Sequence, residues 1–372
     1  MGDSTGKSRS KLIIIDRSFD ITSLILHELT FQAMAYDNFP IRNDVFTFNE
    51  NKVQKHVFFD QRDKLWNNIR HQHISTAVIT VSEKLKKCVN SLRASAAATN
   101  TANGSSVGTM SNAIKAIPIQ KKKSEKFSIF MSVLKNCMDF YGEHLEEICV
   151  FEQDLVMGET ATGEKIKYNI KEKLTYFLKK ENVSVQNKIR LIILYILCED
   201  GVPKDIFNEL VQNAQLSPAQ VQTITNLNML GVTTITDGER QKRSKPERKQ
   251  RVDENTFQVS RWTPLIKDLM ENIVENKLNP DQFPSVGAPI DIHKPSSSRY
   301  TGQNVTWYKG KDSTKHLRSR VILFVLGGVT YSEMRCAYEI SKSSKNCEIV
   351  IGSSHPLTAM DFIQELSKLD KP

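Results

Sequence analysis

A short apolar segment near the start of the chain constrains the fold more than any other sequence feature. Leu12–Ile15 has four consecutive apolar side chains and no polar alternation, a pattern typical of a strand covered on both faces in a parallel α/β sheet. A polar turn follows at Asp16–Asp20. A helix is then predicted from apolar residues at helical spacing, namely Ile25, Leu29, Ala33 and Tyr36. The chain therefore opens with a strand that requires partner strands and covering helices.

The partners of this strand are predicted to come from the far end of the chain. Residues 1–10 are polar and too few to supply a neighbouring strand, so we predict a disordered tail there. The next matching strands are Val321–Leu326 and Glu348–Ile351, each followed by a helical pattern. The predicted fold class is α/β plus α. Its parallel sheet is split between segments 11–36 and 261–372, and a mostly helical domain is inserted between them.

The inserted domain is predicted to have two helical parts, 37–150 and 151–260. The first part contains a long αα-hairpin whose first helix starts near Arg62. The Ala-, Thr-, Asn-, Gly- and Ser-rich composition after that helix predicts a flexible segment over 94–125. Pro118 is expected just before the second helix, because proline ends helical continuation. That helix carries an apolar face made of Phe127, Phe130, Met131, Leu134, Met138, Tyr141, Leu145 and Ile148.

Local signals refine this outline. Segments 38–51 and 279–319 are predicted to be irregular, the second because it is rich in Pro, Ser, Gly and Lys. Helix starts are predicted at Ser184, at Ser217-Pro218 and at Thr263-Pro264, where a capping side chain or a proline at the first helical position favours initiation.

Composition narrows the class of protein. With 372 residues, 39% hydrophobic and 25% charged, the chain is typical of a soluble globular protein. Its apolar runs fall short of the ~20 residues that span a bilayer, and its start lacks the apolar core of a secretion signal. We therefore expect a cytoplasmic protein. Its six cysteines form no CxxC pair, and His71 and His73 lie two residues apart, which prevents joint chelation on a helix. No metal and no cofactor are predicted.

Two weak signals for catalysis have plainer structural interpretations. Gly327-Gly328, between a strand and a helix, is compatible with phosphate binding, but GxGxxG and Walker patterns are absent, and a tight turn is favoured. Asp16 and Asp20 follow a strand end, where α/β enzymes place active sites. No nucleophile motif lies nearby, so we interpret Asp16 and Arg17 as holding the turn and Asp20 as starting the helix. An α/β enzyme remnant is kept as the alternative of another class.

The strongest cluster of positive charge is the segment RQKRSKPERKQR at 240–251. A solvated basic loop is the default interpretation. A surface for anionic membrane or an acidic partner is the second, and a nucleic-acid patch is the third, disfavoured because the run contains no aromatic residue and is interrupted by Glu247. Its candidate binding residues are Arg240, Lys242, Arg243, Lys245, Arg248, Lys249 and Arg251.

The hairpin is the most promising surface for a partner. Phe127, Met131 and Leu134 provide more apolar bulk than one packing seam needs, and methionine suits adaptable binding. These side chains either form the core of the hairpin or offer a groove to a partner helix, and the residues alone leave both interpretations open. Arg70 and His73 are interpreted as polar helix-face residues that face a partner.

Five ordered blocks of the sequence resemble one family. The first is LIIIDRSFD with LHELTFQAMAYD, and the others are Leu65–Ile74, Glu152–Gly158 with Gly163–Lys167, Arg243–Glu271, and Leu323–Glu339 with Ile349–Thr358. Together these blocks resemble the SM (Sec-one/Munc-eighteen) proteins, and most of all their neuronal exocytosis branch. The resemblance covers nearly all of Lys11–Leu366.

The resemblance implies a non-enzymatic regulator of vesicle docking, priming and fusion at the plasma or presynaptic membrane. Its implied partners are syntaxin, synaptobrevin and the assembling SNARE complex, with peripheral contact to anionic membrane and no nucleic acid. The hairpin, about Arg62–Val150, is the implied SNARE site. By resemblance Pro118 falls on the hinge proline of the family and Met131 on a residue facing synaptobrevin. The candidate contact residues are Pro118, Phe127, Met131, Leu134, Arg70 and His73.

The sequence also departs from the family pattern. The N-terminal domain of the family and the first half of its second domain have no counterpart in these residues. Because that domain forms half of the clamp on closed syntaxin, we expect weak syntaxin binding with hairpin-mediated SNARE binding retained. The alternatives are an inactive or competing truncated isoform.

Overall fold

The elements of the fold come from a computed structural model that describes residues 10–50, 52–100, 107–236, 248–249, 251, 257–286, 319–344 and 347–369. The strands are β1 (Lys11–Asp16), β2 (Val45–Glu50), β3 (Val53–Phe58), β4 (Val202–Pro203), β5 (Ile235–Thr236), β6 (Ser319–Leu326) and β7 (Cys347–Ser353). The helices are α1 (Thr22–Ile25), α2 (Phe31–Asn38), α3 (Lys64–Ile69), α4 (Ile74–Asn100), α5 (Val107–Phe140), α6 (Glu146–Met157), α7 (Ile170–Lys179), α8 (Val185–Glu199), α9 (Lys204–Ala214), α10 (Pro218–Thr225), α11 (Leu265–Val274), α12 (Tyr331–Ser343) and α13 (Ala359–Leu366).

The chain divides into two compact units. Met1–Leu26 and Gln153–Pro372 form one, here the sheet unit, and His27–Glu152 forms the other, here the hairpin unit. The predicted boundary at residue 36 is therefore wrong. Leu29 and Phe31 explain the difference, because their backbones bond to the turn before α4 (Ile74 N to Leu29 O, 2.8 Å; Phe31 N to Gln72 O, 2.9 Å). Segment 153–260, predicted as part of the helical domain, belongs with the sheet.

A three-stranded parallel sheet confirms the predicted split. Its order is β1-β6-β7, with Ile13 opposite Leu323 and Val321 opposite Ile349. The α11 and α12 helices supply the apolar cover on one face, where Ile266, Met270 and Ile273 pack with the inward side chains of the strands. A strand near the start of the chain is thus completed by strands more than 300 residues downstream, as the apolar pattern of β1 required.

The other face of this sheet corrects a prediction. Leu12 and Ile14 are each 57% exposed, so β1 is not covered on both faces as its continuous apolar pattern predicted. On the same face of the neighbouring strands, Leu326 and Val350 are also exposed. Strand side chains alternate between the two faces, and the cover from α11 and α12 reaches only one of them.

A buried ion pair fastens the two halves of the split sheet. The Arg17 guanidinium donates to both carboxylate oxygens of Glu333, at 2.8 and 2.7 Å, and Nη2 also donates to the Asp20 carbonyl at 2.7 Å. Burial alone would lower the pKa of Arg17, but the hydrogen bonds and charge of Glu333 outweigh it and raise that pKa. Asp20 accepts from the backbone N–H groups of Ser23 and Leu265, at 2.9 and 2.7 Å. These contacts confirm the structural roles predicted for Arg17 and Asp20.

The glycine pair after β6 forms a tight turn. Gly328 has φ of +97°, and a Cβ atom there would lie 2.8 Å from Leu357 Cδ2. The turn interpretation is therefore confirmed, since the glycines are needed for backbone conformation and for close approach. The helix after it begins with a capping box, in which Thr330 Oγ1 accepts from Glu333 N at 3.2 Å.

Helix starts in the rest of the sheet unit follow their capping residues. Ser184 caps α8, and Ser217 with Gln220 forms a capping box at α10. The start of α11 differs from its prediction, because Pro264 occupies the capping position and not the first helical position. The two-residue strands β4 and β5 pair with each other in a second, two-stranded parallel sheet.

The first elements of the hairpin unit differ from those predicted from the sequence. Segment 38–51, predicted irregular, contains β2, which pairs antiparallel with β3. The predicted continuous helix after β1 is two helices, α1 and α2, separated where Leu26 is extended. An aromatic cluster fills the core. Phe59 stacks on Trp66 at a centroid distance of 4.3 Å, and Phe31 and Phe130 pack around them.

The two helices of the hairpin extend further towards its tip than predicted. The helix expected from Arg62 is interrupted after α3, and α4 begins at Ile74. Segment 94–125 is helical at 94–100 and at 107–125, which contradicts the predicted flexibility, while 101–106 lie outside the described residues. Alanine-rich composition explains the extension of α4, because alanine is the best helix former. Of the other predicted irregular segments, residues 1–9 and 287–318 also lie outside the description.

Candidate functional site

The two helices of the hairpin pack along a buried seam. On α4 it contains Ile74, Ala77, Val81 and Cys88, and on α5 Phe130, Val133, Leu134 and Cys137. The α4 residues recur at intervals of three, four and seven residues, the spacing that places side chains on one helical face. Burial raises the pKa of the Cys137 thiol to about 12, so it remains a neutral apolar group in this seam. Other side chains of the two helices are exposed to solvent, among them Ile79 of α4 and Ile119 and Met138 of α5.

Pro118 lies inside α5, which contradicts its predicted place before the helix. It is exposed, and two residues further along α5 the Gln120 carbonyl accepts a hydrogen bond from the Cys88 thiol of α4 at 3.1 Å. A proline within a helix lacks one backbone hydrogen bond and clashes with the preceding turn. The position is therefore a local weak point in a 34-residue helix, where bending costs least.

Phe127 and Met131 form a partly exposed apolar pair on α5. They are four residues apart, so they lie on the same side of the helix, and neither is fully buried. Leu134 differs, because it is 0% exposed and belongs to the seam. Its prediction as a partner contact is corrected: Leu134 is hairpin core. Of the two interpretations left open, core therefore holds for Leu134, and a surface open to a partner remains for Phe127 and Met131.

Arg70 and His73 lie in the turn between α3 and α4, and not on a helix face as predicted. The turn is held by its backbone, since Gln32 N donates to the Arg70 carbonyl at 2.9 Å. Arg70 Nη1 also donates to the Gln61 side chain. His73 Nδ1 accepts from Ser75 N at 3.3 Å, and burial lowers the pKa of His73 to about 4. His73 is therefore an uncharged ring at neutral pH, at the base of the hairpin.

The described part of the basic segment is engaged in ion pairs. Arg251 donates to Glu271 at 3.0 and 3.1 Å and to Asp268, and Lys249 donates to Glu275 at 2.9 Å. Burial alone would lower the pKa of Arg251, but its bonds to Glu271 and Asp268 raise it. Arg248 pairs with Asp268 at 3.0 Å and lies over the Trp262 ring. These three cations fasten α11, which corrects their prediction as a solvated basic surface. Arg240, Lys242, Arg243 and Lys245 lie outside the described residues.

One buried cluster was missed by sequence reasoning. The side chains of His27, Cys149 and Glu152 place ligand-type atoms within 4.8 Å of one another. His27 Nδ1 lies 2.9 Å from Glu152 Oε1, and the His27 backbone N–H donates to Oε2 at 3.1 Å. An imidazole, a thiol and a carboxylate are all groups that can ligate a transition metal. Here, however, the Glu152 carboxylate is hydrogen-bonded to His27, so the contact between these two residues is explained without an ion. The spacing of Cys149 and Glu152, three apart on α6, was the only sequence signal.

Comparison with known proteins identifies the family. The model of the Sec1 family matches residues 1–365. "Protein transport protein sec1" of Dictyostelium discoideum is 30% identical over 381 residues, covering 97% of this chain and 62% of that protein. The protein of the same name from Schizosaccharomyces pombe is 28% identical, covering 98% of this chain and 53% of its own length.

Solved structures agree with these relatives. The Unc18–syntaxin 1 complex from Monosiga brevicollis matches with a TM-score of 0.77 and 27% identity, over 100% of this chain and 63% of that one. The SM protein Vps45 in complex with the Qa SNARE Tlg2 matches with a TM-score of 0.69 at 18% identity, which shows the shared fold. The chain thus spans between about half and two thirds of these proteins. Within the described residues, no helix combines the length and apolarity needed to cross a bilayer.

Proposed function

The chain belongs to the Sec1 family of SM proteins, and from this premise we propose that it binds SNARE proteins and regulates vesicle docking, priming and fusion in exocytosis. One observation carries the proposal. The whole chain matches, at a TM-score of 0.77, an Unc18 protein whose solved structure is a complex with syntaxin 1. Syntaxin is therefore the first proposed partner, and the site of action is the cytoplasmic side of the plasma membrane or presynaptic membrane.

The hairpin is the proposed SNARE-binding element. Phe127 and Met131 supply partly exposed apolar surface on one side of α5, of the kind that receives the apolar stripe of an amphipathic helix. Pro118 lies about 14 Å along the helix from Phe127, given a rise of ~1.5 Å per residue. Bending there would change the surface available to a second SNARE. Synaptobrevin, and through it the assembling SNARE complex, is accordingly the second proposed partner.

A binding function is favoured over an enzymatic one by the strand ends of the sheet. There the charged groups hold structure: Arg17 is paired with Glu333, and Asp16 accepts from Ser18 N at 2.8 Å. An α/β enzyme would need a nucleophile and a base placed together at this edge. The described residues at the Asp16 and Gly327 turns offer no such pair. After β7, Ser354 Oγ lies 2.8 Å from His355 Nδ1, and His355 Nε2 lies 3.0 Å from Glu365 Oε1. The His355 and Glu365 side chains are 39% and 48% exposed, so this group lies at the surface and not in an enclosed site of the kind that binds a substrate.

Calorimetric titration tests the proposal. The purified chain is titrated with the cytoplasmic part of a plasma-membrane syntaxin and, separately, with that of synaptobrevin. We expect saturable binding of synaptobrevin and weaker, but measurable, binding of syntaxin. No binding of either, by a chain that unfolds cooperatively, would reject SNARE binding.

A variant of α5 tests the assignment to the hairpin. Met131→Asp places a carboxylate on the proposed apolar surface and should weaken synaptobrevin binding by at least about tenfold, the scale of an interface hot spot. Ile79→Asp is the matched control, since Ile79 is an exposed apolar residue of α4 away from that surface. Thermal unfolding of both variants verifies folding. Unchanged affinity in a folded Met131→Asp protein would remove the hairpin surface from the proposal.

A further inference from the structure

Positive charge is concentrated on the distal part of the hairpin. Residues 83–126 contain nine Lys and Arg residues and two acidic ones, Glu83 and Glu125, which gives +7. The whole chain has a formal net charge of +9. The remaining residues therefore contribute only 42 basic against 40 acidic side chains. Nearly all of the excess charge of this protein lies on α4 and α5.

Most of these cations are at the surface. We define the basic hairpin surface as the seven exposed side chains Lys86, Lys87, Arg93, Lys115, Lys121, Lys122 and Lys123. Among the described residues, none of the seven lies within 4.0 Å of a carboxylate oxygen. Lys126, at the edge of the surface, is different because it pairs with Asp63. The basic hairpin surface thus differs from Arg248, Lys249 and Arg251, which form ion pairs with carboxylates of α11 and of Glu275 at its end.

The arrangement of the charges suits a fluid anionic layer. Lys121, Lys122 and Lys123 are consecutive, so their side chains point about 100° apart around the helix. A single row of acidic residues on a partner helix could therefore not contact all three. Six of the seven cations are lysines, which act as mobile point charges and lack the planar fork that arginine uses for bidentate recognition. A layer of lipid headgroups accepts such charges from any direction.

An exposed apolar side chain lies among these lysines. Ile119 is 58% exposed and precedes Lys122 and Lys123 by three and four residues, so it shares their side of α5. An apolar side chain beside lysines is the pattern of a segment that lies in a membrane interface, with the chain inserted and the ammonium groups at the headgroups. Nucleic acid would call for aromatic stacking groups, which residues 83–126 lack.

We propose that the basic hairpin surface, with Ile119, binds the surface of a bilayer containing anionic lipid. The inference rests on the proposed function only for which membrane is involved, since the contact itself requires no SNARE protein. It assigns the distal half of the hairpin to lipid and leaves Phe127 and Met131, nearer the base, to the SNARE partner.

Sedimentation with vesicles tests the contact. The purified chain is mixed with vesicles of phosphatidylcholine alone or with about 30% phosphatidylserine, near 0.1 M salt. The triple variant Lys121→Gln, Lys122→Gln, Lys123→Gln should lower the partition onto anionic vesicles by roughly a hundredfold, since each lysine near such a surface contributes about fivefold. The triple variant Lys121→Arg, Lys122→Arg, Lys123→Arg should retain binding.

A control with the same change of charge excludes a general effect. Lys165, Lys179 and Lys204 are exposed lysines of the sheet unit, and Lys165→Gln, Lys179→Gln, Lys204→Gln also removes three charges. It should bind anionic vesicles within about threefold of the unchanged chain. Equal loss in the two glutamine variants, or equal binding to neutral and anionic vesicles, would overturn the proposal. Ile119→Ser should weaken binding by a further few-fold.

Titration with syntaxin in the absence of lipid separates this inference from the proposed function. The glutamine variant of residues 121–123 should keep its syntaxin and synaptobrevin affinities. If it loses them while vesicle binding is unchanged, the lysines belong to a protein interface and the lipid assignment is wrong. If the chain binds vesicles through these lysines but binds no SNARE, the inference stands and the proposed function fails.

Discussion

The best-defined clusters of basic residues in the sheet unit and in the hairpin unit have different surroundings. In the sheet unit, Arg17 and Arg251 lie in hydrogen-bonded pairs with carboxylates of other elements, Glu333 of α12 and Glu271 of α11. In the hairpin unit, seven cations of α4 and α5 remain at the surface without such pairs among the described residues. The difference teaches that a run of basic residues does not by itself predict whether its charges stabilise the fold or bind a partner. A cation that meets a carboxylate on a neighbouring element stabilises the fold, and one that meets solvent is available to a partner.

The largest expected effect concerns the buried pair of the sheet unit. Glu333→Ala leaves the Arg17 guanidinium buried without its carboxylate, and we expect the free energy of unfolding to fall by about 3–5 kcal/mol. Urea denaturation measures it. Glu339→Ala is the control on the same helix, because the pair of Glu339 with Arg335 is partly exposed and should contribute less than about 1 kcal/mol.

A double variant keeps that result interpretable. Arg17→Met with Glu333→Leu removes both charges and fills similar volume, so it should recover much of the stability that Glu333→Ala loses. If Glu333→Ala and Glu339→Ala were equally mild, the buried pair would not fasten the split sheet, and the contrast between the two units would disappear.

A smaller effect is expected where the basic segment meets α11. Arg251→Ala removes charge-assisted hydrogen bonds to Glu271 and Asp268 and should cost about 1–3 kcal/mol. Lys249→Ala removes a more exposed pair with Glu275 and should cost less than about 1 kcal/mol. Chemical denaturation of both variants sharpens the comparison. If both substitutions changed the free energy of unfolding by an equal, negligible amount, Lys249 and Arg251 would be better described as part of the solvated basic loop that the sequence predicted.

The smallest effect is a pH dependence in the hairpin unit. The folded-state pKa of His73 is lowered by burial to about 4, from an ordinary value of 6.5. Above pH 6.5 the ring is neutral in both states. As the pH falls from 6.5 towards 4, the unfolded chain binds the proton first, so stability is lost across that window. Because the ring is partly exposed, we expect a loss of only about 1 kcal/mol.

Thermal unfolding at pH 7 and pH 4.5 measures this dependence. The chain with His73→Asn should lose less stability between the two pH values than the unchanged chain. His56→Asn, an exposed position on β3, serves as the control and should leave the dependence as it is. A His73→Asn protein with an unaltered pH profile would mean that other groups govern the acid response of the hairpin unit.

The sequence determined the parts of this protein that depend on local pattern. The apolar run of β1 indicated a sheet completed by distant strands, and β6 and β7 were located correctly. The capping residues Ser184 and Ser217 located two helix starts, because a cap acts within one turn of its own helix. The five blocks that resemble SM proteins identified the family, which the match over residues 1–365 confirms.

Only the tertiary structure decided which side chains face outward and what they meet. Leu12 and Leu134 are both apolar, yet one is exposed on an uncovered face of the sheet and the other is buried in the hairpin seam. Arg251 and Lys122 are both basic, but α11 brings carboxylates to the first alone. Pro118 lies inside α5, although proline disfavours the interior of a helix. Burial and pairing depend on elements far apart in sequence, so no local pattern contains them.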